Sequence, residues 1–182
     1  VSTAGSTVRG AFEDLNAIAD IAEEHGIWHH VDAAWGGPVI FSSRYRNMLD
    51  GIERADSVTF DAHKMLGASM VCSMFLIRDE QILENSMAHT KKGDYLFDDP
   101  VSSQSLGRIS PQCGRRADAL KLWLTWLDIG SEGFGLRVDH CMDVAEYIAN
   151  LAQSLDEVEL ISHQFTNVCI RFTPKEDETP EE

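Results

Sequence analysis

Positive charge is scarce in this sequence. Its 182 residues hold 15 Lys and Arg against 30 Asp and Glu, a formal net charge of −15. Nucleic-acid backbones and anionic membrane surfaces both favour an excess of Lys and Arg, so neither is an expected partner. Long apolar runs are also missing: none approaches the roughly 20 residues of a membrane-spanning helix. The opening Val1-Ser2-Thr3-Ala4-Gly5 lacks the basic stretch of a secretory signal. Cysteine is sparse, at Cys72, Cys113, Cys141 and Cys169. No two form a C-x-x-C pair, and the spacing suits neither a zinc ribbon nor a disulfide scaffold. Free thiols in a reducing cytoplasm are therefore expected. What remains is a chain with 43% hydrophobic residues, enough for one compact body or part of a larger one.

The apolar pattern then gives the rhythm of the chain. Leu15, Ile18, Ala19 and Ala22 form a helical stripe within 14–24, and Gly26 follows as a stop. Ile27 to Val31 is a short β-like run ending at Asp32, and Ala33 to Pro38 reads as a loop of small residues and breakers. Ser57–Phe60 and Val71–Ile77 read as strands. This order predicts an α/β protein with a mainly parallel sheet, whose ligands sit beyond the carboxyl ends of the strands. Asp32 and the segment after Phe60 then share one functional edge. Farther on, Ala117, Leu120, Leu124 and Leu127 mark a helix ending near Gly130. Ser131 is placed to cap a second helix carrying Phe134, Val138, Cys141, Ala145 and Ile148. Val158–Ile161 and Val168–Phe172 close the pattern as strands, like the start of a second α/β layer.

The chemistry gathers around Phe60-Asp61-Ala62-His63-Lys64-Met65. A lysine just after a strand, in partly desolvated surroundings, has a lowered amine pKa and can form a Schiff base. It is also what an ordinary surface lysine at a strand end looks like. Asp32 shifts the balance, because it ends a strand and is followed by Ala33, Ala34, Gly36 and Gly37. A carboxylate beside very small side chains suits a flat heteroaromatic cofactor, and pyridoxal phosphate needs an acid at its ring nitrogen, a small residue on one face and a lysine. His25, His29, His30 and Asp32 make a poor metal set. Gly26 interrupts the helix that would align His25, and strand alternation sends His29 and His30 to opposite faces. Arg115-Arg116 is a basic pair open to a carboxylate, a phosphate or an interface, and Trp123 and Trp126 are expected in core or interface packing.

His30-Val31-Asp32-Ala33-Ala34-Trp35-Gly36-Gly37 and Asp56-Ser57-Val58-Thr59 with His63-Lys64-Met65 resemble the group II pyridoxal-phosphate-dependent amino-acid decarboxylases. The likeness is greatest to the glutamate and cysteine-sulfinate/aspartate branch. Thr3–Thr7, Gly51–Ala55, Tyr95–Phe97, Gln112–Arg115, Leu120–Leu124 and Thr166–Cys169 continue it in order along the chain. The resemblance implies a fold-type I transferase-like α/β architecture. Residues 1–128 would belong to the cofactor-binding large domain, 129–173 to a linking helix and the start of the small domain, and 174–182 to an acidic tail.

It implies roles as well. Lys64 carries pyridoxal phosphate as a Schiff base, Asp32 keeps the ring nitrogen protonated and Ala34 packs on a ring face. Thr7 lies near the cofactor hydroxyl and the substrate carboxylate, and His63 lies near the phosphate or the Lys64 linkage. The implied reaction removes the α-carboxylate of an amino acid, of acidic type, in a homodimer. Three features depart from the family pattern. Asp61 stands where many relatives have Asn near the phosphate, and a carboxylate beside a dianion must be paired or turned away. The stretch 98–111 has no tyrosine to act as proton donor. The family's phosphate-binding turn and ring-stacking histidine do not precede Val1, so the sequence reads as the middle of a larger decarboxylase that is expected to be inactive in isolation. A cysteine desulfurase or an aminotransferase of the same fold type, and a non-catalytic dimerising relative, remain open at this level.

Overall fold

The structure is a computed structural model that describes residues 1–87, 109–110, 112 and 115–173. Tyr95–Phe97, the 98–111 stretch apart from its described residues, Cys113 and the acidic tail lie outside it.

Strands β1 (Ser2–Thr3), β2 (His30–Asp32), β3 (Ser57–Asp61) and β4 (Ser73–Ile77) form one sheet in that order. The first three run parallel, and β4 returns antiparallel to β3. The expected mainly parallel sheet is therefore present, with one hairpin-like edge. Helix α1 (Leu15–His25) crosses between β1 and β2. Its start is set by the Asp14 carboxylate, which accepts from Ala17 N at 3.0 Å, and its end by Gly26 in the left-handed region at φ 59°. Leu15, Ala19 and Ala22 bury the predicted stripe. Strand β1 has only two residues, too few for a periodicity to reveal. Part of the predicted 33–38 loop winds instead into a 3-10 helix, Gly37–Phe41, for which Pro38 near its start supplies a fitting φ.

After β4 comes α2 (Glu80–Ser86), and then the long α3 (Asp118–Gln153). The two helices predicted on either side of Gly130 form one run that kinks there, at φ 66° and ψ 178°. Beyond the kink, Phe134 and Val138 are fully buried. Phe134 packs with Phe41 and Trp126, while Trp123 stays exposed. Each large apolar side chain buried in this way contributes roughly 1.5–3 kcal/mol relative to exposure, so α3 is held chiefly by its second half. The antiparallel hairpin of β5 (Val158–Gln164) and β6 (Asn167–Phe172) follows and packs on α3. Two strands alone are marginal in water, so the hairpin depends on its contacts with the rest. Phe165, at its turn, meets Phe12 edge-on at 5.0 Å between ring centroids. Among the described residues, no helix is long and apolar enough to cross a membrane.

Two glycines bring the first two loops together. Gly36 N donates to Ala4 O at 3.0 Å, and a Cβ on Gly36 would meet Ala4 O and, at 2.5 Å, Phe12 Cζ. A Cβ on Gly5, at φ 85°, would fall 2.7 Å from Gly36 N. Gly36→Ala is therefore expected to cost roughly 1–3 kcal/mol by overpacking. Thermal or denaturant unfolding checks this, and an unchanged midpoint would show that the two loops can separate freely.

Candidate active site

Three connections leave the carboxyl edge of the parallel strands: residues 4–14 after β1, 33–36 after β2 and 62–72 after β3. Their backbones interlock. Ala4 N donates to Asp32 O at 2.8 Å, and Ala33 N donates to Thr59 O at 3.0 Å. Asp32 stands opposite Thr59 in the β2–β3 register. Asp61 lies two residues farther along the neighbouring strand, about 7 Å on and about 5 Å across.

Lys64 belongs to the tight turn that follows β3, in which Lys64 N donates to Asp61 O at 3.1 Å and Gly67 N to Lys64 O at 3.0 Å. The turn brings Lys64 Nζ to 2.9 Å from Asp61 Oδ2. The amine is thus held by an ion pair, rather than by the apolar surroundings expected from the sequence. The reason is local: residues 61 and 64 fall on the same side of one turn. Asp61 itself is buried, which alone would raise its pKa. Hydrogen bonds with Ser73 and Lys64 outweigh that burial and hold its carboxyl below the ordinary carboxylate range. The departure noted at position 61 is in this way a paired charge.

A cleft of about 360 Å³ opens at this edge. Thr7, Val8, Trp35 and Lys64 line it from the strand-end loops, and Thr166, Asn167 and Val168 from the hairpin. Of the predicted residues, the structure brings Lys64 and Thr7 together here, and Asp61 joins them through its ion pair with Lys64. Asp32 and Ala34 sit one strand over and do not line the cleft. Asp32 is exposed, and its Oδ1 accepts from Ala34 N at 3.1 Å. That short turn orients the carboxylate and leaves Oδ2 without a hydrogen-bond partner among the described residues. His63 is engaged elsewhere, its Nδ1 lying 3.0 Å from Cys72 O and 3.2 Å from Cys72 N. His29 and His30 are structural. His29 is buried with Nε2 at 2.7 Å from Ser2 Oγ, and burial lowers its pKa. His30 lies between the Ser57 and Thr59 hydroxyls and stacks on Phe75.

Five cleft residues had no predicted site role: Val8, Trp35, Thr166, Asn167 and Val168. Trp35 Nε1 donates to Thr166 Oγ1 at 3.0 Å and to Asn167 Oδ1 at 3.3 Å. Asn167 Nδ2 donates to Thr7 O at 2.8 Å and Val8 O at 3.2 Å. The Trp35-Gly36-Gly37 and Thr166–Cys169 stretches drew notice only as family matches, and an Asn beside a hairpin turn ordinarily reads as turn chemistry.

The donor set fits pyridoxal phosphate: a primary amine facing a cleft, an oriented carboxylate with one open oxygen on the adjacent strand, an alanine beside that carboxylate, and a hydroxyl across from the amine. Comparison with known proteins agrees. The profile of the pyridoxal-dependent decarboxylase conserved domain matches residues 1–173. Cysteine sulfinic acid decarboxylases of Mus musculus and Homo sapiens are each 44% identical over 177 residues, 95% of this chain and 36% of theirs. The crystal structure of mouse CSAD in apo form superposes with a TM-score of 0.84 at 42% identity, over 94% of this chain and 36% of that one. The structure of Oryza sativa TDC with PLP and tryptamine gives 0.85 at 29% identity, over 94% and 35%. The chain thus spans about a third of the length of these relatives. With the profile covering nearly every described element, the chain belongs to the pyridoxal-dependent decarboxylase family.

Proposed function

We propose that this chain carries the lysine-bearing part of a pyridoxal-phosphate-dependent carboxy-lyase that removes the α-carboxylate of an acidic amino acid. The observation that carries the reading is Lys64 Nζ, held at 2.9 Å from Asp61 at the mouth of the cleft, one strand away from the half-open carboxylate of Asp32. Cysteine sulfinate is the first substrate to test, with aspartate and glutamate beside it, because the relatives at 44% identity are cysteine sulfinic acid decarboxylases. The family match sides with decarboxylation over the desulfurase and aminotransferase alternatives.

Lys64 would hold the cofactor covalently, Asp32 would face its ring nitrogen, Ala34 would pack on a ring face, and Thr7 would lie near its hydroxyl. When bound, pyridoxal phosphate supplies an electron sink for the pair left behind by the departing carboxylate. The chain's own groups prepare that event. Asp32 would help keep a proton at the ring nitrogen, since an anion there favours the charged form. Asp61 would keep the Lys64 amine aimed into the cleft whenever the lysine is released from the cofactor. Val8, Trp35 and Val168 give the cleft an apolar part of its lining. His63 supports the turn from its Cys72 contact, at the start of the segment that carries Lys64. Lys64 is the one cationic side chain among the described residues lining the cleft, so a group beyond them must meet the substrate's second acid.

A homodimer and a cytoplasmic setting belong to the same reading. Leu120, Trp123, Leu124 and Leu127 form an exposed apolar stripe on α3 that a second copy can cover. Among the described residues, Cys72, Cys141 and Cys169 form no disulfide, which is compatible with a reducing compartment. The net charge of −15 disfavours nucleic-acid and anionic-membrane partners.

The protein carrying this chain should release carbon dioxide and an amine from cysteine sulfinate, aspartate or glutamate, with 2,4-diaminobutyrate and an aromatic amino acid as controls. A keto acid or a persulfide product would refute the reaction class. Lys64→Ala should remove the cofactor's protein-bound absorbance and lower kcat by roughly a thousandfold or more, the scale of losing a covalent or proton-transfer group. Asp61→Asn bears on pH. Because the folded carboxyl titrates below its unfolded counterpart, Asp61 stabilises the fold above the ordinary carboxylate range, and that contribution fades as pH falls through the lower folded value. Melting curves between neutral and acid pH should therefore lose less stability in Asp61→Asn than in the parent. Parallel acid limbs would count against the ion pair.

A further inference from the structure

We infer that Asn167, in the β5–β6 hairpin, is a positioning residue for the cofactor seat. Its single amide ties the loop that carries Thr7 to the loop that carries Asp32 and Ala34. This rests on the reading proposed above and adds to it a residue from a separate part of the chain.

The geometry accounts for every hydrogen-bonding atom of the amide. Nδ2 has two hydrogens, and two carbonyls face it, Thr7 O at 2.8 Å and Val8 O at 3.2 Å. Oδ1 accepts from Trp35 Nε1 at 3.3 Å. Thr7 and Val8 follow β1, whereas Trp35 follows the Asp32-Ala33-Ala34 end of β2. These contacts span 160, 159 and 132 residues of sequence. All three loop residues line the same cleft as Lys64.

Neighbouring contacts give the bracket a fixed place. Trp35 Nε1 also donates to Thr166 Oγ1 at 3.0 Å, and Cys169 Sγ donates to Val8 O at 3.4 Å. Gly10 brings the β1 loop so close that a Cβ there would lie 2.8 Å from Asn167 Oδ1. Phe165, at the hairpin turn, is buried against Phe12 of the same loop. The packing of Phe165 places the hairpin, and the amide then holds Thr7 and Val8, beyond the Ala4–Gly36 contact that joins the bases of the two loops, against Trp35.

An aspartate at 167 would present a carboxylate to the two carbonyls and lose both donors. An alanine would remove the amide donor from both carbonyls, leaving Val8 O only Cys169 Sγ and the indole N–H only Thr166 Oγ1. Either change should let Thr7 and Val8 move relative to Trp35, while the Ala4–Gly36 contact and Lys64 stay untouched. The purified protein, stripped of cofactor and titrated with pyridoxal phosphate, is the system to use. Asn167→Ala and Asn167→Asp are expected to raise the dissociation constant roughly tenfold, the worth of one to two net hydrogen bonds. They should also weaken the cofactor's induced circular-dichroism band at saturation, which a general loss of fold stability would not do once the site is full. Trp35→Phe keeps the ring and removes its N–H, so it should move both readouts in the same direction by a smaller factor.

An unchanged dissociation constant and an unchanged band in the Asn167 variants would overturn the inference. If those variants fail to fold, Trp35→Phe decides on the same two readouts. Lys64→Ala runs beside them as the control. Loss of the bound-cofactor spectrum in Lys64→Ala, together with normal behaviour at positions 167 and 35, would leave the proposed function standing and remove only the role of Asn167. Retention of that spectrum in Lys64→Ala would instead bring down the reading on which the inference rests.

Discussion

The register between β2 and β3 is the constraint on which the candidate site depends. With His30 opposite Ser57 and Asp32 opposite Thr59, both strands direct their last residues to the same edge. A slip by one residue would turn Asp32 to the other face of the sheet, because side chains alternate along a strand. It would also bury His30, whose ring now lies between two hydroxyls, and expose Val31, which is fully buried. The packing of an apolar residue and the pairing of a polar one thus enforce the same alignment. The distance between a carboxylate and an amine follows from it.

On that frame, three kinds of force share the work. Backbone hydrogen bonds join the strand-end loops, with close approach at Gly5 and Gly36 leaving little room for them to drift. Burial of Phe134 and Val138 fixes α3 against the 3-10 helix Gly37–Phe41, and the α3–hairpin contact carries β5 and β6 into place. Charge does the finer positioning. Asp61 and Lys64 form a partly exposed ion pair whose contribution to overall stability is small, yet it decides where an amine points. In a catalytic setting, orientation of that amine matters more than the free energy of the pair.

Local pattern made much of this legible. The α1 stripe and its Gly26 stop, the strand before Asp32 and the strand before Asp61 all follow from periodicity and breakers within a dozen residues. The chemistry-bearing positions, Lys64, Asp32 and Thr7, could be named because residue type and strand-end location point to them. Less legible was β1, whose two residues offer no period and whose place in the sheet comes from pairing with β2. The direction of His63 was equally hidden. Its neighbour in sequence is Lys64, but its hydrogen-bond partner is the backbone of Cys72, brought back by the return of β4.

By itself, then, the sequence determined the alternation of helix and strand, the identity of the amine and carboxylates, and the family to which they belong. Those properties reside in short windows and in residue chemistry, which survive without knowledge of distant contacts. Tertiary structure alone decided that Asp32 and Lys64 reach one edge on neighbouring connections, and that Asn167 meets loops 132 to 160 residues away. Contacts of that kind depend on how separate elements pack. No local periodicity encodes which amide will meet which carbonyl once the hairpin has docked.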